Sequence, residues 1–291
     1  MERYQFVAEH CRQWPVEEMC QVLEVSRSGF YDWQGRAESP RAVAQRHLDA
    51  AIKKAYHASK GRSGSPKIAF SLQNQGWSVS KNRVARRMRK LELRSIVSRR
   101  FRVTTTDSRH EEPIAPNLLK RGFTVAGPNQ VWVGDITYLP TRQGWIYLAV
   151  FIDLYSRRVV GWAVSTSLSQ EVVLKALQQA LTRRRPPRGL IVHTDRGGQY
   201  AAQAFRSLLQ RHGLVQSMSR KGNCWDHAVA ESFFHLLKTE LVYHARWEDH
   251  LDSYHDLFEY LEIFYNRERF HSTLGYLTPA QFEQHSHKLC A

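Results

Sequence analysis

Three acidic residues stand where an acid is costly to place. Asp135 lies inside a strand-like run between Val133 and Ile136, and a charge buried there without a partner is expensive. Asp195 comes as a short apolar run ends, in His193-Thr194-Asp195-Arg196-Gly197-Gly198, and strand ends of α/β folds are where ligands and catalytic groups gather. Glu231 sits in an otherwise apolar helical stretch, Ala228 to Phe234. Carboxylates from three separate elements suit a site for hard divalent cations. Mg²⁺ prefers oxygen ligands and keeps several waters, so few protein ligands suffice, and Mn²⁺ is a natural substitute. Two such ions ~3.5–4 Å apart serve phosphoryl transfer, with water or a DNA 3′-hydroxyl attacking and no Ser or Cys nucleophile. Asp153, Asp226 and Glu240 compete for the same role, and any of them could instead be an ion-pair partner. Lys238 follows Glu231 by seven residues, which puts both on one helix side. It could hold a DNA phosphate beside the metals or simply be solvated.

Composition points to the same polyanion. The 291 residues include 42 Lys and Arg against 27 Asp and Glu, a formal charge of +15. Such a surplus suits nucleic acid or an anionic surface. Residues 1–112 carry 22 basic and 12 acidic side chains, and residues 113–291 carry 20 and 15. The densest stretch, Lys81 to Arg102, has ten Lys or Arg and the single acid Glu92. No apolar run approaches the ~18 residues of a spanning helix, and Met1-Glu2-Arg3-Tyr4 starts no signal peptide. Cys11, Cys20, Cys224 and Cys290 form no C-x-x-C pair, so neither a zinc nor a redox motif is indicated. A reducing, cytoplasmic setting without membrane contact fits.

The elements that must position these groups read in four parts. Residues 1–40 hold a helix-turn-helix-like segment: Pro15 opens one helix and Ser26 caps a second bearing Phe30, Tyr31 and Trp33. A packing-only helix pair fits that stretch equally well. Residues 41–102 are a basic helical region. A helix over Arg41–His57 and one opening at Ser65-Pro66 lead to a third, which Ser80 caps. Its apolar face is Val84, Ala85, Met88 and Leu91. Its cationic face, Lys81, Arg83, Arg86, Arg87 and Lys90, can lie between phosphates, and Arg94, Arg99, Arg100 and Arg102 extend it. Residues 103–126, with Thr104-Thr105-Thr106-Asp107-Ser108, Pro113, Pro116 and Gly122, read as a linker. Residues 127–285 read as mixed α/β. Strands are expected at Val131–Leu139, Trp145–Leu154, Val159–Ser165, Leu190–His193 and Leu214–Met218. Helices are expected at Glu171–Arg184, Ala202–His212 and Asp226–Leu241. Three strands, then helix, strand, helix, strand, helix, is the order of a ribonuclease-H-like fold, a five-stranded mixed sheet with helices.

The motifs together resemble an insertion-sequence transposase of the type whose second reading frame encodes a retroviral-integrase-like core. They are Trp132 to Tyr138, Ile152 to Arg157 with Gly161-Trp162, His193 to Tyr200, Ser217 to Gly222, and Asp226 to Lys238. Tyr265-Asn266, Arg269, His271, Leu274-Gly275 and Thr278-Pro279 follow. The 35 residues between Asp195 and Glu231 match the family's own spacing. The resemblance implies that Asp135, Asp195 and Glu231 are the metal-binding catalytic acids. It implies nicking at the element's ends and strand transfer, through DNA circles. It also implies a homo-oligomer on DNA in the bacterial nucleoid, and a small first-frame helix-turn-helix/leucine-zipper protein as partner or fusion. Arg196, next to Asp195, is a further candidate DNA contact. Gly134, His227 and Ser63 depart from the usual Thr or other small residue, Asn and Tyr. Two rival functions remain: a nuclease of the same fold that does not join strands, and a non-catalytic DNA-binding regulator.

Overall fold

A computed structural model describes residues 2–97, 113–119, 125–220 and 228–289, with side chains as far as 285. Arg99, Arg100, Arg102, Cys224, Asp226, His227 and Cys290 lie outside the described residues.

Two small helical clusters come first. α1 (Glu2–His10), which has no strong sequence signal, packs with α2 (Val16–Val22) and α3 (Arg27–Gly35) around Val7, Met19, Cys20 and Phe30. Ser26 caps α3 by accepting the Gly29 N–H at 3.2 Å. α4 (Pro40–Ala58), α5 (Ser65–Asn74) and α6 (Lys81–Lys90) form the second cluster. Its core is Leu48, Ile52, Ile68, Leu72, Val84 and Met88. Ser39 and Ser80 cap α4 and α6, each satisfying an amide that the first helical turn leaves open.

The remaining chain builds one sheet. β1 (Val131–Thr141), β2 (Gly144–Asp153) and β3 (Val159–Ser165) form an antiparallel meander. α7 (Gln170–Arg184) then crosses to β4 (Ile191–Thr194), which pairs parallel with β1. α8 (Gly198–Ala201), a single helical turn, and α9 (Gln203–Arg211) lead to β5 (Val215–Met218), parallel to β4. The order β3-β2-β1-β4-β5 is the ribonuclease-H-like arrangement that the element order implies.

Both faces are covered. α7, α8 and α9 pack on one around Trp132, Phe151, Val192 and Phe205. Gly161 makes this approach possible, since a Cβ there would stand 2.3 Å from the Ala176 carbonyl. On the other face lie α10 (Ala228–Glu240), α11 (His250–Phe258) and its π-helical continuation Glu259–Glu268. The π-helical stretch brings Asn266 to the start of β3, where its amide exchanges two 3.0 Å hydrogen bonds with the Val159 backbone. α12 (Pro279–Leu289) ends the described chain.

The expected linker is partly core. Residues 113–119 run beside β5: Leu118 N–H donates to Ser217 Oγ at 3.0 Å, and Leu119 packs with Val131, Val133, Leu154 and Ala230. The prolines that argue against regular structure here let the segment cover a sheet edge that would otherwise stand open.

Candidate active site

β1 and β4 bring the first two acids together. Val133 pairs with His193 in the last parallel step between these strands. Asp135 and Asp195 each lie two residues further on, so both sit on the face of the preceding partner, one strand spacing of about 4.8 Å apart. That face is the one α10 covers, because Val131 and Val133 pack against Ala230. The residue after Ala230 is Glu231, exposed in the first turn of the helix.

The electrostatics follow from this placement. Burial, then the Asp195 carboxylate, and further Glu231, push the Asp135 carboxyl well above its ordinary range; the Ile136 N–H and Lys238 act against them. Burial also raises Glu231. Lys238 is lowered by burial while Asp135 works to raise it, and its ammonium stands 5.3 Å from the centre of the Tyr138 ring. Tyr200, the last residue of the His193–Tyr200 motif, is buried with a hydroxyl that has no hydrogen-bond partner among the described residues. Burial, then Asp135 and Asp195, push that hydroxyl far up.

Three like charges with one cation among them ask for more positive charge, and every donor is a hard oxygen, as Mg²⁺ prefers. The orphaned Tyr200 hydroxyl adds a polar group awaiting a partner. The donor set therefore fits a divalent cation. The three acids share one field without forming a closed cage: among the described residues, no three Asp, Glu, His or Cys side chains are gathered tightly enough to hold an ion.

The competing acids have other work. Asp153 accepts the Asn129, Tyr155 and Ser156 amides at 2.7, 3.0 and 3.2 Å and so shapes the turn after β2. Glu240 is buried and receives Arg269 through Nη2 at 2.8 Å and Nε at 2.9 Å, with the Tyr260 hydroxyl at 2.8 Å. Gly134 is also explained, since a Cβ there would stand 2.4 Å from the Phe151 ring.

The basic candidates divide. Lys81, Arg83, Arg86 and Lys90 are exposed on α6. Arg87 is not on that open face: its Nε and Nη2 clamp Asp49 of α4 at 2.8 and 2.6 Å, because its position turns it towards the neighbouring helix. Arg89, which the helical reading left out, is exposed instead. Arg196 donates from Nε to the Ser219 carbonyl at 2.6 Å, tying the end of β4 to the segment after β5.

Comparison with known proteins agrees with both halves of the chain. The family described as an integrase core domain matches residues 125–224, a second integrase core domain family matches 231–287, and an HTH-like domain family matches 43–101. The chain is 43% identical over 283 residues to the transposase InsF for insertion sequence IS3A of Escherichia coli K12, covering 97% of this chain and 98% of that one. It is likewise 43% identical over 273 residues to an uncharacterized 31 kDa protein of insertion element IS600 from Shigella sonnei, covering 94% and 100%. Among solved structures, the HTLV-2 integrase catalytic core domain in complex with magnesium is similar at a TM-score of 0.42 and 18% identity, over 55% of this chain and 99% of that one. No helix among the described residues is long and apolar enough to cross a membrane. A ribonuclease-H-like sheet, a basic helical unit before it, and end-to-end likeness to such enzymes lead to one assignment: the chain belongs to the DNA transposases of IS3-type insertion sequences.

Proposed function

We propose that Asp135, Asp195 and Glu231 hold two Mg²⁺ ions, replaceable by Mn²⁺, and that this site cuts and joins DNA at the ends of the element. The observation that supports this reading is the field at Asp135, where burial, Asp195 and Glu231 raise its carboxyl against the Ile136 N–H and Lys238. The ions would supply charge neutralisation at the scissile phosphate. The protein's own part is positional. β1 and β4 fix two carboxylates at one level, α10 presents the third, and Lys238 holds a phosphate next to them. Residues Lys81, Arg83, Arg86 and Lys90 of α6 grip the backbone of bound DNA, with Arg89 added to that face and Arg87 removed from it. Arg196 orders the loop beside Asp195. Two DNA ends handled together call for a homo-oligomer on DNA, located with the nucleoid. The family resemblance supports a first-frame helix-turn-helix/leucine-zipper partner or fusion.

The test is strand transfer with the element's own ends in Mg²⁺. Asp195→Asn abolishes both nicking and joining while leaving DNA affinity within about twofold, since no phosphate contact is removed. Retained joining in that variant overturns the assigned site. Nicked products without joined ones identify a nuclease, and activity indifferent to all three acids identifies a regulator.

A further inference from the structure

A cavity of about 460 Å³ opens between α5, α10 and the segment that follows the π-helical stretch. Its wall carries Arg62, Lys67, Arg269 and His271, with the exposed Thr273 at the rim. The one acid among its lining residues, Glu240, is already bound by Arg269 and Tyr260.

Arg62 is only 4% exposed. Its Nε donates to the Glu240 carbonyl at 3.2 Å, its Nη2 stands 3.6 Å from Glu259, and its guanidinium lies 4.5 Å over the Phe264 ring. Its Nη1 is buried and has no hydrogen-bond partner among the described residues. A charged donor is rarely left so. Lys67 stands 3.9 Å from Glu240. Burial, then Arg269, bring its ammonium down to about 8 against the pull of Glu240. Arg62, Lys67 and Arg269 thus face Glu240 and Glu259, the latter shared with Lys60 at 3.2 Å, which leaves positive charge in excess among the described residues. The complement is an anionic group with several acceptor oxygens.

Position supplies the second argument. Ser232 and Leu236 of α10 line the cavity, and Ser232 is the neighbour of Glu231. The cavity therefore begins one residue from the third acid on the same helix. We propose that it takes one phosphodiester group of the DNA strand being processed, held by Arg62 and Lys67. This rests on DNA as the substrate and adds a contact outside the carboxylate site and outside α6.

The experiment uses the full chain in EDTA with a fluorescein-labelled duplex carrying one end of the element, titrated at several KCl concentrations. Thr273→Glu, which sets a carboxylate at the exposed rim, and Lys67→Gln each weaken binding about tenfold and flatten the log–log salt slope by about one. Lys67→Arg retains both. If Lys67→Gln does not fold, Thr273→Glu decides alone. Unchanged affinity and slope in Thr273→Glu overturn the proposal. So does inorganic phosphate that raises the wild-type melting temperature but not that of Thr273→Glu while the DNA slopes stay equal, because the cavity then takes free phosphate. No metal is present, so failure here leaves the carboxylate assignment standing. Normal slopes in an inactive Asp195→Asn leave the cavity standing.

Discussion

On the proposed assignment, Asp135 costs the protein stability for the sake of a site. Burial, Asp195 and Glu231 push its carboxyl up, while the Ile136 N–H and Lys238 work against them. Such crowding is a cost that binding sites commonly carry. Asp135→Asn keeps the acceptor for the Ile136 N–H, bonded at 2.7 Å, and removes the repulsion. The metal-free variant should therefore melt a few degrees above wild type, at about 2–4 °C per kcal/mol for a domain of this size. Mg²⁺ should raise the wild-type midpoint and leave the variant where it is. Differential scanning fluorimetry with and without Mg²⁺ reads both, and a lower metal-free midpoint in the variant contradicts the account. The three acids proposed to hold the metals stand out in the sequence because each is an acid in an apolar setting. Tyr200 does not, since a tyrosine near a helix start looks like ordinary core; only the fold brings its hydroxyl within the field of Asp135 and Asp195.

Helix faces explain where the one-dimensional reading worked and where it slipped. The third helix of the basic region was legible from Ser80 and the spacing of Val84 and Met88, and α6 follows it closely. The division of its cationic face was not, because Asp49 lies 38 residues away in the chain. Arg87→Ala leaves Asp49 without its guanidinium in a pair whose side chains are 20% and 18% exposed. It should destabilise the helical unit by about 1–2 kcal/mol. Arg86→Ala should change stability by less than about 0.5 kcal/mol but weaken DNA binding and reduce its salt slope by about one. Urea melts beside DNA titrations separate the two. A stability loss in Arg86→Ala, or none in Arg87→Ala, reverses the assignment. The five strands were legible from alternation and apolar runs. The edge role of residues 113–119 was hidden, since prolines signal irregular backbone whether it is loose or packed.

Across the whole molecule, the N-terminal helices and the final segment meet at the far end of the helix bearing Glu231. Phe70 of α5 stacks with Tyr276 and meets Phe270 edge-on, while Lys67 and Arg269 converge on Glu240. His271 shares this junction and faces Arg269, Lys67 and Arg157. Burial first, then those three cations, hold its ring near a pKa of about 3, against 6.5 when free. The native ring is neutral, so its stability contribution is full above pH 6.5 and is lost as pH falls towards 3, by up to about 1.4 kcal/mol per pH unit. His271→Gln, which cannot titrate, should flatten the fall of the melting temperature between those limits; an equally steep fall contradicts the placement. The same junction constrains how the gene can be dissected. A catalytic fragment begun after α6 and ended at Glu268 would keep Tyr260 against Glu240 but remove Lys67 and Arg269, leaving a buried carboxylate without its cations at a cost of about 3–5 kcal/mol. Such a truncation needs a neutral residue at position 240 to yield soluble material, or it must keep everything through α12.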